Sequence, residues 1–333
     1  MGSSTSSLLL LLLLLAFAGV AGAQEFPAPA DTGEVLTGPQ KVIGQVVRPG
    51  EKTMVPVPKV WVTLHRVGSD TAAPLDSVQA DSQGTYRFDF RRTGDERAIY
   101  FVSATYGGIA YFTPPLVHST VQGEEAEIAV FDTTSARVPL SVRGHHLIIS
   151  AVDASSLRTI TEVFEIANDS SVTRIAREGG EAVWSTTFPK GASRFEVSHG
   201  EIPAAAVRFA NGGAHVYAPI APGLKQIAFT YALPAAEFPL RFTLGSRTQV
   251  FEVLIEEEQG SVTGAKLEEV APVSLESRSF RRFLGDDVPA QAQSVIDLPF
   301  EKSGRIDRRY VVALSATIGA AMLFALARAL RQR

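Results

Sequence analysis

Apolar residues alternate most regularly between residues 55 and 90. Val60, Val62 and Leu64 fall on one face of an extended segment and Trp61, Thr63 and His65 on the other. Tyr86, Phe88 and Phe90 repeat the period, with Arg87 and Asp89 between them. The segment 75–80 leads into Asp81-Ser82-Gln83-Gly84, where an Asp opens a turn and a Gly takes positive φ, so a hairpin is expected there. The same period predicts strands over 42–47, 60–65, 75–80, 85–90, 99–106, 109–112 and 127–131. It restarts after residue 138, over 145–151, 159–168, 182–185, 194–197, 206–209, 215–219, 224–231, 240–244 and 248–255. Order weakens from 260 to 309, with a last strand expected at 279–283 and a docking segment at 296–300. The pattern predicts an all-β chain of two consecutive β-sandwich domains, 38–136 and 143–300.

Composition narrows the class. The 333 residues include no cysteine, so cores must hold by apolar burial rather than disulfides. A formal charge of -4 with no basic cluster excludes nucleic acid as an expected partner. The 27 glycines and 19 prolines suit many short strands joined by turns.

The ends carry a different signal. Residues 8–15 are all leucine, and Ala21-Gly22-Ala23 follows, which reads as a signal peptide over 1–23 despite an n-region without Lys or Arg. Met1-Gly2-Ser3-Ser4-Thr5-Ser6 also fits a myristoylation pattern, which the leucine run outweighs. Residues 24–37 read as a linker and 301–309 as a charged stalk. The uncharged stretch 310–327, flanked by Arg308, Arg309 and Arg328, is long enough as a helix to cross a bilayer, leaving 328–333 as a cytoplasmic tail. Ser315 and Gly319 would let another helix approach closely. The expected location is the extracytoplasmic side of the cytoplasmic membrane, and the cysteine-free chain with its Ala- and Arg-rich tail fits a bacterial cell envelope.

Gly44-Gln45-Val46, then Pro56-Val57-Pro58-Lys59-Val60-Trp61-Val62-Thr63-Leu64, then the run from Ala80 to Phe90 resemble the carboxypeptidase regulatory-like domain. The positions that match are Gly44, Val46, Val57, Val60, Val62, Leu64, Asp81, Gly84, Tyr86 and Phe88, and the resemblance spans about 38–136. It implies a transthyretin-like sandwich related to carbohydrate-binding-like folds, a non-catalytic module, and an Ig/transthyretin-like plan for the chain. Residues beyond 136 carry no motif that names a family.

Candidate chemistry is sparse. His65, His118, His145, His146, His199 and His215 form no paired metal-ligand motif, and His145 and His146 point to opposite faces of one strand. No Gly-x-Ser-x-Gly elbow or phosphate loop is present, and Gly179-Gly180 and Gly212-Gly213 read as turns. Glu256-Glu257-Glu258 reads as a solvated strand end, and Asn168-Asp169-Ser170 is a formal glycosylation sequon. No cofactor, metal or catalytic residue is expected. Aromatics are the better lead: Trp61, His65, Tyr106 and Tyr111 are the candidate binding residues, with Tyr100 close in sequence. The competing reading, which the sequence favours, puts Trp61 over the second sheet or the interdomain seam. The expected function is a membrane-anchored, non-catalytic envelope module offering sandwich surfaces to a protein or glycan. An accessory subunit acting through its transmembrane helix is the alternative, and a hydrolase or metalloenzyme is third.

Overall fold

The computed structural model describes residues 38–198, 201–275 and 278–299. The expected signal peptide (1–23), linker (24–37), stalk (301–309), membrane-spanning stretch (310–327, with Ser315 and Gly319) and tail (328–333), together with His199, lie outside the described residues. Among the described residues no helix is long and apolar enough to cross a membrane. The chain is all-β, with several sheets.

The N-terminal region contains β1 (Pro39–Pro49), β2 (Met54–Pro56), β3 (Trp61–Val67), β4 (Ala72–Gln79) and β5 (Thr85–Arg91). It continues through β6 (Ile99–Tyr106), β7 (Ile109–Phe112), β8 (Thr120–Gln122), β9 (Ile128–Ala129) and β10 (Thr133–Thr134). Strand β1 pairs antiparallel with β5 and β2 and parallel with β8 and β9. A separate four-stranded sheet runs β4-β3-β6-β7. Inward residues of both sheets share one core: Val42, Val46, Tyr86 and Phe88 from the first meet Val62, Leu64, Tyr100 and Val102 from the second.

The turn after β4 forms as expected, with Gly84 at φ +72° and Asp81 Oδ1 accepting from the Gln83 and Thr85 amides, but it closes no hairpin. β4 belongs to one sheet and β5 to the other, so the turn carries the chain across the core. A Cβ on Gly84 would lie 2.7 Å from the Val46 carbonyl oxygen, and one on Gly44 would lie 2.4 Å from the Tyr86 hydroxyl. These two glycines let the turn and the Tyr86 ring cross β1 at backbone distance. Tyr86 then donates to the Ala126 carbonyl at 2.6 Å.

The C-terminal region contains β11 (Ser141–Ile149), β12 (Leu157–Asn168), β13 (Thr173–Arg174), β14 (Trp184–Thr187), β15 (Ser193–Val197), β16 (Val207–Ala210) and β17 (Gly213–Val216). It ends with β18 (Gly223–Pro234), β19 (Leu240–Thr243), β20 (Thr248–Ile255), β21 (Ser261–Gly264), β22 (Glu268–Leu275), β23 (Arg278–Val288) and β24 (Gln293–Asp297). A seven-stranded sheet, β15-β18-β12-β11-β20-β23-β22, dominates. The three-stranded sheets β14-β17-β16 and β19-β24-β21 contribute to the two main apolar clusters on one of its faces. The stretch after residue 260 supplies β21 to β24: the strand expected at 279–283 falls within β23, but it is not the last, and β21, β22 and β24 were not expected. β22 is mostly exposed and interrupted by Pro272, as befits an edge strand, and this hides its alternation.

Strand β10 pairs in parallel with β13 and ties the two regions together. Beside it the Thr173 amide donates to the Asp132 carbonyl at 2.8 Å.

Candidate binding face

The alternation in β3 and β6 divides their side chains between core and solvent. Val62, Leu64, Tyr100, Val102 and Ala104 are buried in the core. Arg66 shares their inward phase and plugs the end of the core, its Nη2 bonded to Asp70 at 2.8 and 3.0 Å and its Nε to the Thr93 carbonyl at 2.8 Å. The opposite face carries Trp61, Thr63, His65 and Val67 from β3, Ile99, Phe101 and Ser103 from β6, and Phe112 from β7.

Trp61 and Phe112 are each 58% exposed, and Val67 and its partner Ile99 are exposed at the other end of β3. The favoured expectation that Trp61 covers a sheet or the seam is therefore corrected: it stands on the solvent face, because the inward positions of β3 are filled by Val62 and Leu64. His65 stacks on Phe101 with ring centroids 5.0 Å apart, and Phe101 meets Phe112 edge-on at 5.7 Å. His65 Nε2 and the Ser103 hydroxyl are 2.8 Å apart, and the Thr63 and Ser77 hydroxyls 2.9 Å apart. Desolvation lowers the His65 pKa, so the ring is neutral at neutral pH. The face is thus an uncharged row in which aromatic groups flank a strip of hydroxyls. Trp61 and His65 lie about 13 Å apart along the strand at the usual rise per residue.

Tyr106 and Tyr111 do not join it. Both follow the inward phase: Tyr106 donates to Asp132 at 2.8 Å, and the Tyr111 hydroxyl sits 2.8 Å from that of Thr173 at the junction of the two regions. Phe101 and Phe112, missed in the sequence, complete the face, and the 99–106 alternation carried the signal for Phe101.

The C-terminal region holds two polar networks on opposite faces of β11. Toward the core, His145 Nε2 lies 2.9 Å from Glu162 Oε2, and Tyr231 donates to Glu162 Oε1 at 2.6 Å. Glu162 is fully buried, and His145 stacks on Phe164 at 4.1 Å. Burial first, and then the Glu162 charge, hold the Tyr231 pKa well above its ordinary value. On the other face His146 Nδ1 lies 2.6 Å from Glu252 Oε2, and Arg282 donates to Glu252 Oε1. Desolvation pushes the Glu252 pKa up, but the bonds and charges of His146 and Arg282 prevail and hold it below the usual carboxylate range. The two histidines therefore point to opposite faces, and among the described residues no three His, Asp or Glu side chains are grouped to hold a metal ion.

One smaller expectation is corrected. Glu256 and Glu257 are not a solvated end: Glu257 binds the fully buried Arg158 at 2.7 Å, and Glu256 binds the Ala151 amide and Arg278. The sequon asparagine, Asn168, is buried, its amide donating to the Val172 and Ile220 carbonyls at 2.9 Å each.

No known protein-family model matches this chain, and no curated protein matches its sequence.

Proposed function

We propose that the protein is a non-catalytic binding module of the cell envelope, built of two consecutive β-sandwich domains with a carboxypeptidase regulatory-like plan in the first. In this reading the leader exports it, the 310–327 segment anchors it in the membrane, and the exposed face of β4-β3-β6-β7 takes a glycan chain. The observation that supports a glycan is the composition of that face. Exposed rings of Trp61 and Phe112 and the neutral His65–Phe101 stack supply apolar platforms, and Thr63 and Ser77 supply hydroxyls between them. Sugar rings present the same combination, an apolar face with hydroxyls at its rim, whereas a charged or buried partner surface would call for ionic or deeper contacts.

The test is a glycan screen of the full chain in mild detergent, followed by titration of the best glycan against Trp61→Ala and Phe112→Ala. Loss of one stacked ring costs about 1 kcal/mol or more, roughly a fivefold loss of affinity, with thermal unfolding unchanged because both rings are exposed. A screen without glycan binding, or binding indifferent to both substitutions, overturns the reading. A protein that co-purifies in equal amount and is lost on truncation before Tyr310 replaces it with the accessory-subunit alternative.

A further inference from the structure

A second candidate site lies where the two regions meet. A cleft of about 420 Å³ is lined by Ser135, Arg137, Arg174, Arg177, Gly180 and Glu181, among others. Three arginines and one carboxylate line it, a local excess of positive charge in a chain whose formal charge is -4.

The arginines sit on connected backbone. Arg174 ends β13, which is fixed to β10 by the ladder Thr133 to Thr173 and Thr134 to Arg174. The Ile175 amide donates to the Thr134 carbonyl at 2.9 Å, and the turn that follows closes through the Gly180 amide on the Arg177 carbonyl at 2.9 Å. Arg137 follows β10 after Ser135 and Ala136. Their side chains are only partly occupied. Arg137 donates to Glu181, Arg177 Nε donates to Ser135 Oγ at 3.2 Å, and Arg174 Nη1 donates to the Val138 carbonyl at 2.9 Å. Arg174 is half-buried, and its pKa falls below the ordinary value through desolvation and then through the charge of Arg137, with Glu181 acting in the other direction. Its charge is thus held close to that of Arg137, with the Glu181 carboxylate acting against that repulsion.

We infer that this cleft binds an oxyanion, the phosphoryl or carboxylate group of a small ligand. Planar guanidinium forks match either group with paired N–H donors, and an anion would balance the three arginines that line the cleft with a single carboxylate. The site is independent of the aromatic face: different strands build it, and its ligand is recognised by charge rather than stacking.

Isothermal titration of the full chain in nonionic detergent tests this, with inorganic phosphate and succinate, a carboxylate without a sugar ring, as separate probes at constant ionic strength. Saturable binding of at least one probe is expected. Arg137→Ala and Arg177→Ala should each weaken it fivefold or more, and Glu181→Gln should tighten it severalfold. A purely structural role for these exposed side chains predicts no gain of affinity in Glu181→Gln. Phosphate binding alone assigns a phosphoryl ligand, succinate binding alone a carboxylated one, and either supports the site. Absence of saturable binding in both the wild type and Glu181→Gln overturns it, as do affinities unchanged by the arginine substitutions. Trp61→Ala serves as a control that should leave anion binding intact, so failure of the glycan reading is distinguishable from failure of this one.

Discussion

Replacing Tyr231 by Phe removes one oxygen from the core of the C-terminal region, and the structure sets the size of the effect. The hydroxyl donates at 2.6 Å to Glu162 Oε1, while the other carboxylate oxygen is held at 2.9 Å from His145 Nε2. Glu162 is fully buried and Tyr231 is 1% exposed, so water has no ready route to replace the lost donor. A hydrogen bond to a charged group contributes about 1.5–3 kcal/mol, and stranding a buried acceptor adds a desolvation penalty, so a loss of about 2–4 kcal/mol is expected.

Trp184 offers the assay. Its indole lies parallel to Phe229 and edge-on to Phe164 at 4.9 Å, and Phe164 carries the stacked His145 ring, so its fluorescence follows this core. Urea unfolding monitored at that signal should show the loss in Tyr231→Phe. The double variant with Glu162→Gln should cost less than the sum of the single ones by about 1 kcal/mol or more, because the two groups share one bond. A cost below about 0.5 kcal/mol for Tyr231→Phe, or strict additivity, would refute the claim that the pair is a coupled buried unit.

Alkaline pH should weaken the fold through the same residue. Burial raises the pKa of Tyr231 and of Tyr86, so above about pH 10 the unfolded chain releases phenolic protons that the folded chain retains. Their contribution is complete below that pH and is lost as pH rises toward the folded-state values; in a pH series of urea midpoints the gap between wild type and Tyr231→Phe should shrink above pH 10. Gly84→Ala should destabilise the N-terminal region by about 1–3 kcal/mol, since it combines positive φ with a Cβ 2.7 Å from backbone oxygen. Gly108→Ala, at φ +80° with nothing within 4 Å of the new Cβ, should cost only the conformational part, and equal costs at the two sites in thermal unfolding would remove the steric argument.

Much of this architecture is legible in period-two alternation, because a strand with one face on a core must alternate. The expected 109–112 strand appears as Ile109–Phe112, and 224–231 lies within β18. Alternation fails where strands are too short or too exposed to show it, as in β2, β8 and β22. It also fails to say which sheet a strand joins: the Asp81–Gly84 turn has hairpin chemistry, yet long-range pairing sends β4 and β5 to different sheets. The polar networks were hidden for a related reason, since Glu162 meets Tyr231 only through the pairing of β12 with β18. A signal was nevertheless present. Arg158 and Glu162 lie in phase with Ile160, Phe164 and Ile166, so strict alternation already turns both charges into the core.

The candidate aromatics show why phase outweighs residue type. Trp61 and Tyr111 are equally plausible ligand contacts by chemistry, but Trp61 occupies an outward position of β3 and Tyr111 an inward position of β7. Phase alone sends Tyr111 to the junction, where its hydroxyl meets Thr173 and the Phe131 carbonyl, while Tyr106 and Arg48 converge on Asp132. Ala221, from the C-terminal region, packs against the N-terminal core beside them. A boundary drawn at 136–143 from the break in alternation therefore runs through a hydrogen-bonded joint: the chain pauses there, but the packing does not. The arginine cleft lies on that same joint, with Arg137 on one side of the ladder and Arg174 and Arg177 on the other. Its geometry thus depends on the two regions remaining docked, whereas the aromatic face depends on the N-terminal core alone.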